Sequence, residues 1–337
     1  MFDEKDLIVE AKHVTKIFPA SHGRELVANN DINLKFYRGK TLGLVGESGC
    51  GKSTFMRMLL SLDEPTEGEI LFNGKDITKL KGEALRQNRQ HIQMVFQDPA
   101  TSFNPKMKIR DIICEPLLNF GRIKPSEKDA TAARLLEMVE LPPELKDRYM
   151  HNMSGGQRQR VAIARAIALE PDMIVMDEAT SALDVSVQKT IIGLITKLQK
   201  EKNIAIGFIC HDLGLAQSFS HEIAVMYLGN IVETMPGEEI GKCLHPYTKA
   251  LVASVFDIKM DFSKKIEQIK GEVPSPLDAP KGCPFCDRCD CSSDICFKEK
   301  PKLVEISEGH EVACHRFNKA SAAPEGAAGV KAENRKG

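Results

Sequence analysis

The chain has 337 residues, 42% of them apolar and 28% charged, which suits one large domain with an apolar core and an appended segment. Its 46 Lys and Arg against 47 Asp and Glu give a net charge of −1, which excludes a general nucleic-acid-coating protein because phosphate contacts need a basic surplus. No apolar run approaches the ~18 residues of a membrane helix, and the acidic N-terminus lacks the pattern of a signal peptide. We therefore expect a chain that neither spans a membrane nor is exported by that route.

The N-terminal part of the chain predicts strands that lead to a loop and a helix. Short apolar runs at residues 7–9, 14–18 and 32–34, separated by turn residues, predict an antiparallel β subdomain. Another apolar run, over 41–45, enters a glycine-rich loop that is followed by helical spacing from Lys52 to Leu62. Residues 68–79 predict a hairpin with Asn73-Gly74 at its turn.

The middle of the chain alternates between helical and strand patterns. Residues 106–152 are mostly helical in pattern and are interrupted by prolines. A helix over 160–168, a strand over 173–176, a long helix near 185–201 and a strand over 204–209 follow. This alternation predicts a parallel sheet with helical crossovers.

The glycine-rich loop has the sequence GESGCGKS over residues 46–53, which matches G-x-x-x-x-G-K-[ST]. Glycines let successive N–H groups point at phosphate oxygens, Lys52 places a positive charge on the β- and γ-phosphates, and Ser53 offers a hydroxyl to Mg²⁺. The preceding strand and the following helix supply the required context, since the helix directs its positive end at the phosphates. We predict that the nucleotide phosphates are bound by eight residues: Gly46, Ser48, Gly49, Cys50, Gly51, Lys52, Ser53 and Thr54.

An acid pair follows the apolar strand at 173–176. Asp177 can orient the Mg²⁺ shell, and its neighbour Glu178 can polarise an attacking water. Two adjacent acids at the end of a buried strand are costly without a nearby cation, so we predict that this pair belongs to the same site as the loop.

A second anion-binding element is predicted at the segment MSGGQRQR, residues 153–160. Ser154, Gly155 and Gly156, followed by Gln157, open a helix, and their N–H groups can bind another anion. A single phosphate loop does not need this element. The sequence therefore predicts a site completed between two chains, in which the helix start of one chain closes over the γ-phosphate held by the other.

These motifs, in this order, resemble the nucleotide-binding subunit of ATP-binding cassette (ABC) transporters over residues 5–255. The resemblance implies that Phe18 stacks on adenine and that Gln97 touches Mg²⁺ and the membrane partner. It also implies that the loop ending at Asp184, which begins with Ser181-Ala182, crosses the dimer interface, and that His211 contacts the γ-phosphate. Glu178, Gln97 and His211 are then the catalytic residues, and Ser53, Gln97 and Asp177 the Mg²⁺ ligands.

The fold implied by the resemblance is an α/β P-loop NTPase core with a mixed sheet, an antiparallel β subdomain and a helical subdomain at about 98–160. A Cys-rich extension is expected at 256–318 and a disordered tail at 319–337. The segments HPYTKAL at 245–251 and GEVPSP at 271–276 resemble the ATPases of oligopeptide/dipeptide and nickel importers.

Six of the ten cysteines fall between residues 283 and 314. In the importer ATPases, a Cys-x5-Cys-x6-Cys spacing with a fourth cysteine holds an iron–sulfur cluster, and that spacing selects Cys283, Cys289, Cys296 and Cys314. Four thiolates bind either a [4Fe–4S] cluster or Zn²⁺. Cys286 and Cys291 lie beyond the family pattern, so the choice of ligands stays open. A reduced tail that binds no metal is a further alternative.

The resemblance implies an ATP-hydrolysing subunit of a peptide importer on the cytoplasmic face of the membrane. Its expected partners are a second ATPase subunit that is a paralogue, two transmembrane permease subunits and, indirectly, an extracytoplasmic solute-binding protein, with no nucleic acid. The alternatives are an importer of nickel or another solute, and a soluble ABC ATPase that acts on nucleic acid or ribosomes.

Overall fold

The computed structural model describes residues 2–179, 183–254, 271, 274–275, 277 and 280–317. Its strands form two sheets. In chain order the strands are β1 (Leu7–Pro19), β2 (Glu25–Tyr37), β3 (Thr41–Val45), β4 (Glu67–Phe72), β5 (Lys75–Asp76), β6 (Ile92–Val95), β7 (Met173–Asp177), β8 (Ala205–Cys210), β9 (Glu222–Tyr227), β10 (Asn230–Pro236), β11 (Val304–Ser307) and β12 (His310–Val312). The α-helices are α1 (Lys52–Leu59), α2 (Gly82–Asn88), α3 (Pro99–Ser102), α4 (Ile109–Asn119), α5 (Lys128–Met138), α6 (Gly155–Ile167), α7 (Val185–Lys202), α8 (Leu213–Phe219), α9 (Pro246–Ala253) and α10 (Asp294–Lys298).

The smaller sheet is antiparallel, in the order β2-β1-β4-β5. Its two long strands pair from Leu7 opposite Tyr37 to Pro19 opposite Glu25. Asn73 and Gly74 adopt φ angles of 48° and 72° between β4 and β5, as a two-residue hairpin turn of the mirror-image type requires. The predicted antiparallel subdomain and its hairpin are confirmed.

The larger sheet is mixed, in the order β11-β12-β10-β9-β3-β8-β7-β6. The strands from β6 to β9 in this order are parallel, as the alternating pattern predicted, and β10, β12 and β11 are antiparallel additions. The hairpin of β11 and β12 pairs with β10 through Glu233 opposite Val312. The sequence did not predict this hairpin, because residues beyond 255 show little periodicity.

Helix α1 packs against both sheets. Phe55 and Met56 are fully buried among side chains of β1, β2, β7 and β8. All five residues of β3, which precedes the loop, are buried too. Fully burying one large apolar side chain stabilises a fold by about 1.5–3 kcal/mol, so the loop between β3 and α1 is held firmly at both ends.

Helices α4, α5 and α6 pack together between β6 and β7 in the chain, around Ile112, Leu136 and Val161. None of the described helices is both long and apolar enough to cross a membrane. The expected boundary near residue 255 and the expected tail at 319–337 lie outside the described residues.

Candidate functional site

The loop between β3 and α1 depends on glycine at two close approaches. Gly46 and Gly51 adopt φ angles of 152° and 107°, which other residues rarely adopt. A Cβ atom on Gly51 would lie 2.2 Å from the backbone oxygen of Ala28, and one on Gly46 would lie 2.2 Å from that of Met226. The loop can therefore take this shape only with glycine at both positions.

Lys52 is the first residue of α1, and its side chain folds back under the loop. Its Nζ donates hydrogen bonds to the backbone oxygens of Gly46 at 2.7 Å and Glu47 at 2.9 Å. Burial raises the pKa of the neighbouring Cys50 thiol, which disfavours its thiolate form, whereas the charge of Lys52 opposes this effect. The loop presents one buried cation next to a set of backbone N–H groups.

Ser53 and Asp177 meet although they lie far apart in the chain. The Ser53 hydroxyl donates to Asp177 Oδ1 at 3.1 Å. Burial raises the pKa of Asp177, and the charge of Glu178 adds to this effect, whereas the Ser53 hydrogen bond and Lys52 oppose it. A hydroxyl and a carboxylate, with the amide of Gln97 nearby, are oxygen ligands of the kind that Mg²⁺ prefers, so the residues present fit this ion.

Glu178 connects two residues that were predicted from separate motifs. Gln97 Nε2 donates to Glu178 Oε2 at 3.0 Å, and His211 Nε2 contacts Glu178 Oε1. Glu178 has a left-handed backbone with φ of 46°, and strained positions of this kind cluster at functional sites. The structure thus brings the three predicted catalytic residues together.

An open cleft of about 760 Å³ lies over the loop. Phe18, at the end of β1, lines this cleft together with Leu26 of β2, and Glu178 and His211, which directly follow β7 and β8, line it too. The cleft is lined by Phe18, Leu26, Val27, Ala28, Ser48, Gly49, Gly51, Lys52, Ser53, Thr54, Glu178, His211, Leu228 and Gly229. Its walls join an aromatic ring, a cation and an acid, which suits a nucleotide with its phosphates on the loop.

The segment predicted to bind a second anion opens α6, with Ser154 as the residue that caps the helix. Ser154 Oγ accepts from Gln157 N at 3.3 Å, and Gln157 Oε1 accepts from Ser154 N at 3.1 Å, which is a capping box. A Cβ on Gly156 would lie 2.7 Å from Cγ1 of Val187, so glycine allows α6 to approach α7. Within the described chain, residues 154–157 do not line the cleft. Asp184 precedes α7, and Ser181 and Ala182 lie outside the described residues.

The predicted cysteine ligands lie in one region of the C-terminal segment. Cys283 N donates to Cys296 O at 2.7 Å, and burial raises the pKa of Cys283 to about 12 and also raises the pKa values of Cys289 and Cys314. Among the residues that the structure describes, no three His, Cys, Asp or Glu side chains are arranged to hold a metal ion. The arrangement shown does not form the predicted metal centre.

Two residues that contact the loop were missed by sequence reasoning. The Tyr247 hydroxyl accepts from Glu47 N at 2.9 Å, and Arg288 pairs with the Glu47 carboxylate. Tyr247 stood in a segment noted only as a family marker, and Arg288 stood among cysteines. Neither position carries a local pattern that would have indicated these contacts.

Comparison with known proteins identifies the family. A sequence model of the ABC transporter family matches residues 29–181, and one of the oligopeptide/dipeptide transporter C-terminal region matches residues 232–296. The chain is 44% identical to the probable peptide ABC transporter ATP-binding protein y4tS of Sinorhizobium fredii, over 94% of this chain and 92% of the relative. It is also 44% identical to the oligopeptide transport ATP-binding protein AppF of Bacillus subtilis, over 93% and 98%. The chain belongs to the ABC transporter family.

Solved structures agree with this assignment. The cassette MJ0796, in a dimeric post-hydrolysis state with ADP and phosphate, is 29% identical, with a TM-score of 0.62 over 68% of this chain and 98% of that one. CbiO1 of Clostridium perfringens, part of an ABC transporter complex, is 27% identical, with a TM-score of 0.63 over 70% and 91%. The resemblance drawn from the motifs is confirmed, and the chain is an ABC-type ATPase whose reaction uses ATP and Mg²⁺.

Proposed function

We propose that this chain is the ATP-hydrolysing subunit of an importer of oligopeptides or dipeptides. The observation that carries the proposal is 44% identity to AppF, an oligopeptide transport ATP-binding protein, over 93% of the chain. The match to the oligopeptide/dipeptide transporter C-terminal region supports the same cargo, because it lies outside the part that all ABC ATPases share.

ATP binds across the cleft with its adenine on the ring of Phe18 and its phosphates on the loop. Phe18 is 36% exposed, and Lys16 Nζ lies 5.0 Å from its ring centre, so a base would stack on the ring face away from Lys16. Lys52 and the N–H groups at the start of α1 bind the phosphates through charge and hydrogen bonds. Each of these contacts uses atoms that the described cleft already presents.

Hydrolysis uses Glu178 as the group that orients and activates water. Gln97 donates to one oxygen of the Glu178 carboxylate, and His211 contacts the other. The orientation of this carboxylate is therefore set before a substrate binds. Mg²⁺ held by Ser53, Asp177 and Gln97 would offset charge on the β- and γ-phosphates. His211 also lies at the cleft, where it can reach the γ-phosphate.

A second cassette completes the site. We propose that Ser154, Gly155, Gly156 and Gln157 of one chain cap the nucleotide of the other, and that the loop at Asp184 crosses the interface. Val185 is 82% exposed, as a residue awaiting a partner would be. The dimeric, ADP-bound state of MJ0796 supports this arrangement.

We place the assembly on the cytoplasmic face of the membrane. Residues 5–255 form the cassette, and its helical part at about 98–160 docks on two permease subunits. The second ATPase is a paralogue, and a solute-binding protein delivers cargo from the other side. Affinity purification of the tagged chain from its native cells tests this set, since recovery of the tagged chain with copies of itself alone would refute the heterodimer.

The transport assay measures uptake of a labelled tetrapeptide into proteoliposomes that carry the chain with its co-purified subunits. We expect ATP-dependent uptake that Glu178→Gln abolishes and that exposed-site Glu67→Gln leaves unchanged. Uptake of ⁶³Ni²⁺ but not of the labelled tetrapeptide would identify nickel as the cargo and refute peptide import. Wild-type ATP hydrolysis in the absence of any membrane partner, with no transport, would favour a soluble ABC ATPase.

We also propose that Cys283, Cys289, Cys296 and Cys314 hold a [4Fe–4S] cluster. The charges of Cys296 and Cys314 add to the burial that raises the pKa of Cys283, so these thiols lie near one another, but binding would have to draw them closer together. Anaerobic purification should give iron, sulfide and a broad visible absorption that Cys296→Ser removes and Cys114→Ser keeps. Stoichiometric zinc, or no metal, would refute the cluster.

A further inference from the structure

Glu47, the second residue of the phosphate loop, is held at three points. Its backbone N–H donates to the Tyr247 hydroxyl at 2.9 Å, and its backbone oxygen accepts from Lys52 Nζ at 2.9 Å. Its carboxylate accepts two hydrogen bonds from Arg288, Nη1 to Oε2 at 2.8 Å and Nη2 to Oε1 at 3.1 Å. The loop is therefore tied to a residue 241 positions further along the chain.

The Arg288 guanidinium is placed as a structural anchor. Its side chain is 6% exposed, and the Glu47 side chain is 25% exposed. Nη1 also donates to the Tyr227 hydroxyl at 3.3 Å, and the guanidinium lies 5.8 Å from the centre of the Tyr227 ring. A bidentate Arg–carboxylate pair of this kind fixes the orientation of the carboxylate as well as its distance, which a single contact from a lysine does not.

The backbone around Arg288 is itself fixed against the cassette. Phe285 is buried and packs edge-on against Tyr227, with ring centres 5.2 Å apart, and against Tyr247 at 5.4 Å. The same two tyrosines contact Arg288 and Glu47 through their hydroxyl groups. Residues 283–289 thus form a support directly behind the phosphate loop.

We propose that Arg288 is a positioning residue for ATP binding: through Glu47 it holds the phosphate loop in the shape that receives the phosphates. A loop fixed before binding loses less conformational freedom when the nucleotide arrives, so affinity rises without any contact between Arg288 and ATP. The C-terminal extension is then part of the ATP-binding machinery. This inference rests on ATP binding by the cassette and is independent of the cargo.

The test measures the Kd of a fluorescent, non-hydrolysable ATP analogue for the full-length chain, and KM and kcat for ATP in the assembled transporter. Arg288→Met removes the charge and keeps most of the bulk, and Lys298→Met is the matched control on the exposed face of the extension. We expect Arg288→Met to raise Kd and KM about tenfold or more with kcat within about threefold of wild type, because uniform binding is lost. Lys298→Met should change none of them.

Two further variants separate positioning from general stability. Arg288→Lys keeps a charge but loses the second hydrogen bond to the Glu47 carboxylate. We therefore expect a Kd between those of the wild type and Arg288→Met, at an unchanged melting temperature. Glu47→Gln with Arg288→Met should bind ATP no more weakly than Arg288→Met alone, since both act through one contact. An unchanged Kd in folded Arg288→Lys, or a fall in kcat at constant KM, would overturn the proposal. Failure of the wild-type chain to bind the analogue would instead refute the ATP site itself.

Discussion

Glu222 offers a test of how the C-terminal hairpin meets the cassette. It is the first residue of β9, and burial raises its pKa to about 7 from the usual 4.5, with the Glu311 carboxylate of β12 adding to the effect. The perturbation is Glu222→Gln, which keeps the shape of the side chain and removes its ionisation. Glu67→Gln, at the exposed first residue of β4, is the control.

The direction of the pKa change decides whether Glu222 raises or lowers the free energy of unfolding as the pH rises. A carboxyl whose pKa is raised on folding binds its proton more tightly in the folded state, so it costs no stability below pH 4.5 and progressively more as pH rises through 7. The difference between 4.5 and about 7 corresponds to roughly 3 kcal/mol of unfolding free energy once the group is ionised. Solvent that reaches the side chain lowers this figure, so it is an upper value.

The assay is thermal unfolding of wild type and variant at pH 5 and pH 8. We expect Glu222→Gln to raise the melting temperature at pH 8 by several degrees, on the order of 3–8 °C, and to change it little at pH 5. Comparing variant with wild type at each pH cancels the other titrating groups. An equal change at both pH values, or a gain confined to pH 5, would refute the reasoning.

The remaining predictions concern the nucleotide site. Glu178→Gln should keep analogue binding within about threefold and lower phosphate release by 10²–10⁴-fold, and near-normal release would remove Glu178 from its role. Gly51→Ala should abolish analogue binding because its Cβ would lie 2.2 Å from the oxygen of Ala28, whereas at Gly49 a Cβ meets no atom within 4 Å and the loss should be smaller. Gly156→Val should weaken ATP-dependent dimerisation in size-exclusion chromatography while the single chain still binds the analogue, and a dimer of normal stability would contradict this.

The grouping of the candidate catalytic residues at one end of the cleft was predictable because each of them carries a local signal. Lys52 follows β3, Glu178 follows β7 and His211 follows β8, and the carboxyl ends of parallel strands meet at one edge of a sheet. Apolar strands that end in polar residues therefore place those residues together, whatever lies between them in the chain. The structure adds the hydrogen bonds that join Glu178 to Gln97 and His211.

The cysteine region shows the limit of spacing as a guide. A spacing pattern states which thiols belong to a set, but distances depend on how the segment folds. Backbone contacts such as Cys283 N to Cys296 O bring the set into one region without forming a metal-binding arrangement among the described residues. Ligand chemistry predicts what such thiols can bind, and only tertiary structure decides how near they come.

The extension was expected as a separate unit, but its contacts with the cassette are those of a shared core. His310 of β12 lies 2.8 Å from the buried carboxylate of Glu233, which also accepts from the backbone N–H groups of Leu244 and His245. Removing one partner from a buried hydrogen bond costs about 1–3 kcal/mol, because the remaining polar group stays buried without that partner. A cassette ending at residue 254 would lose His310 at this point and Arg288 at the phosphate loop. Sequence alone could not show this, since each contact joins residues far apart in the chain and a lone Arg or His among cysteines has no periodicity that marks it as buried.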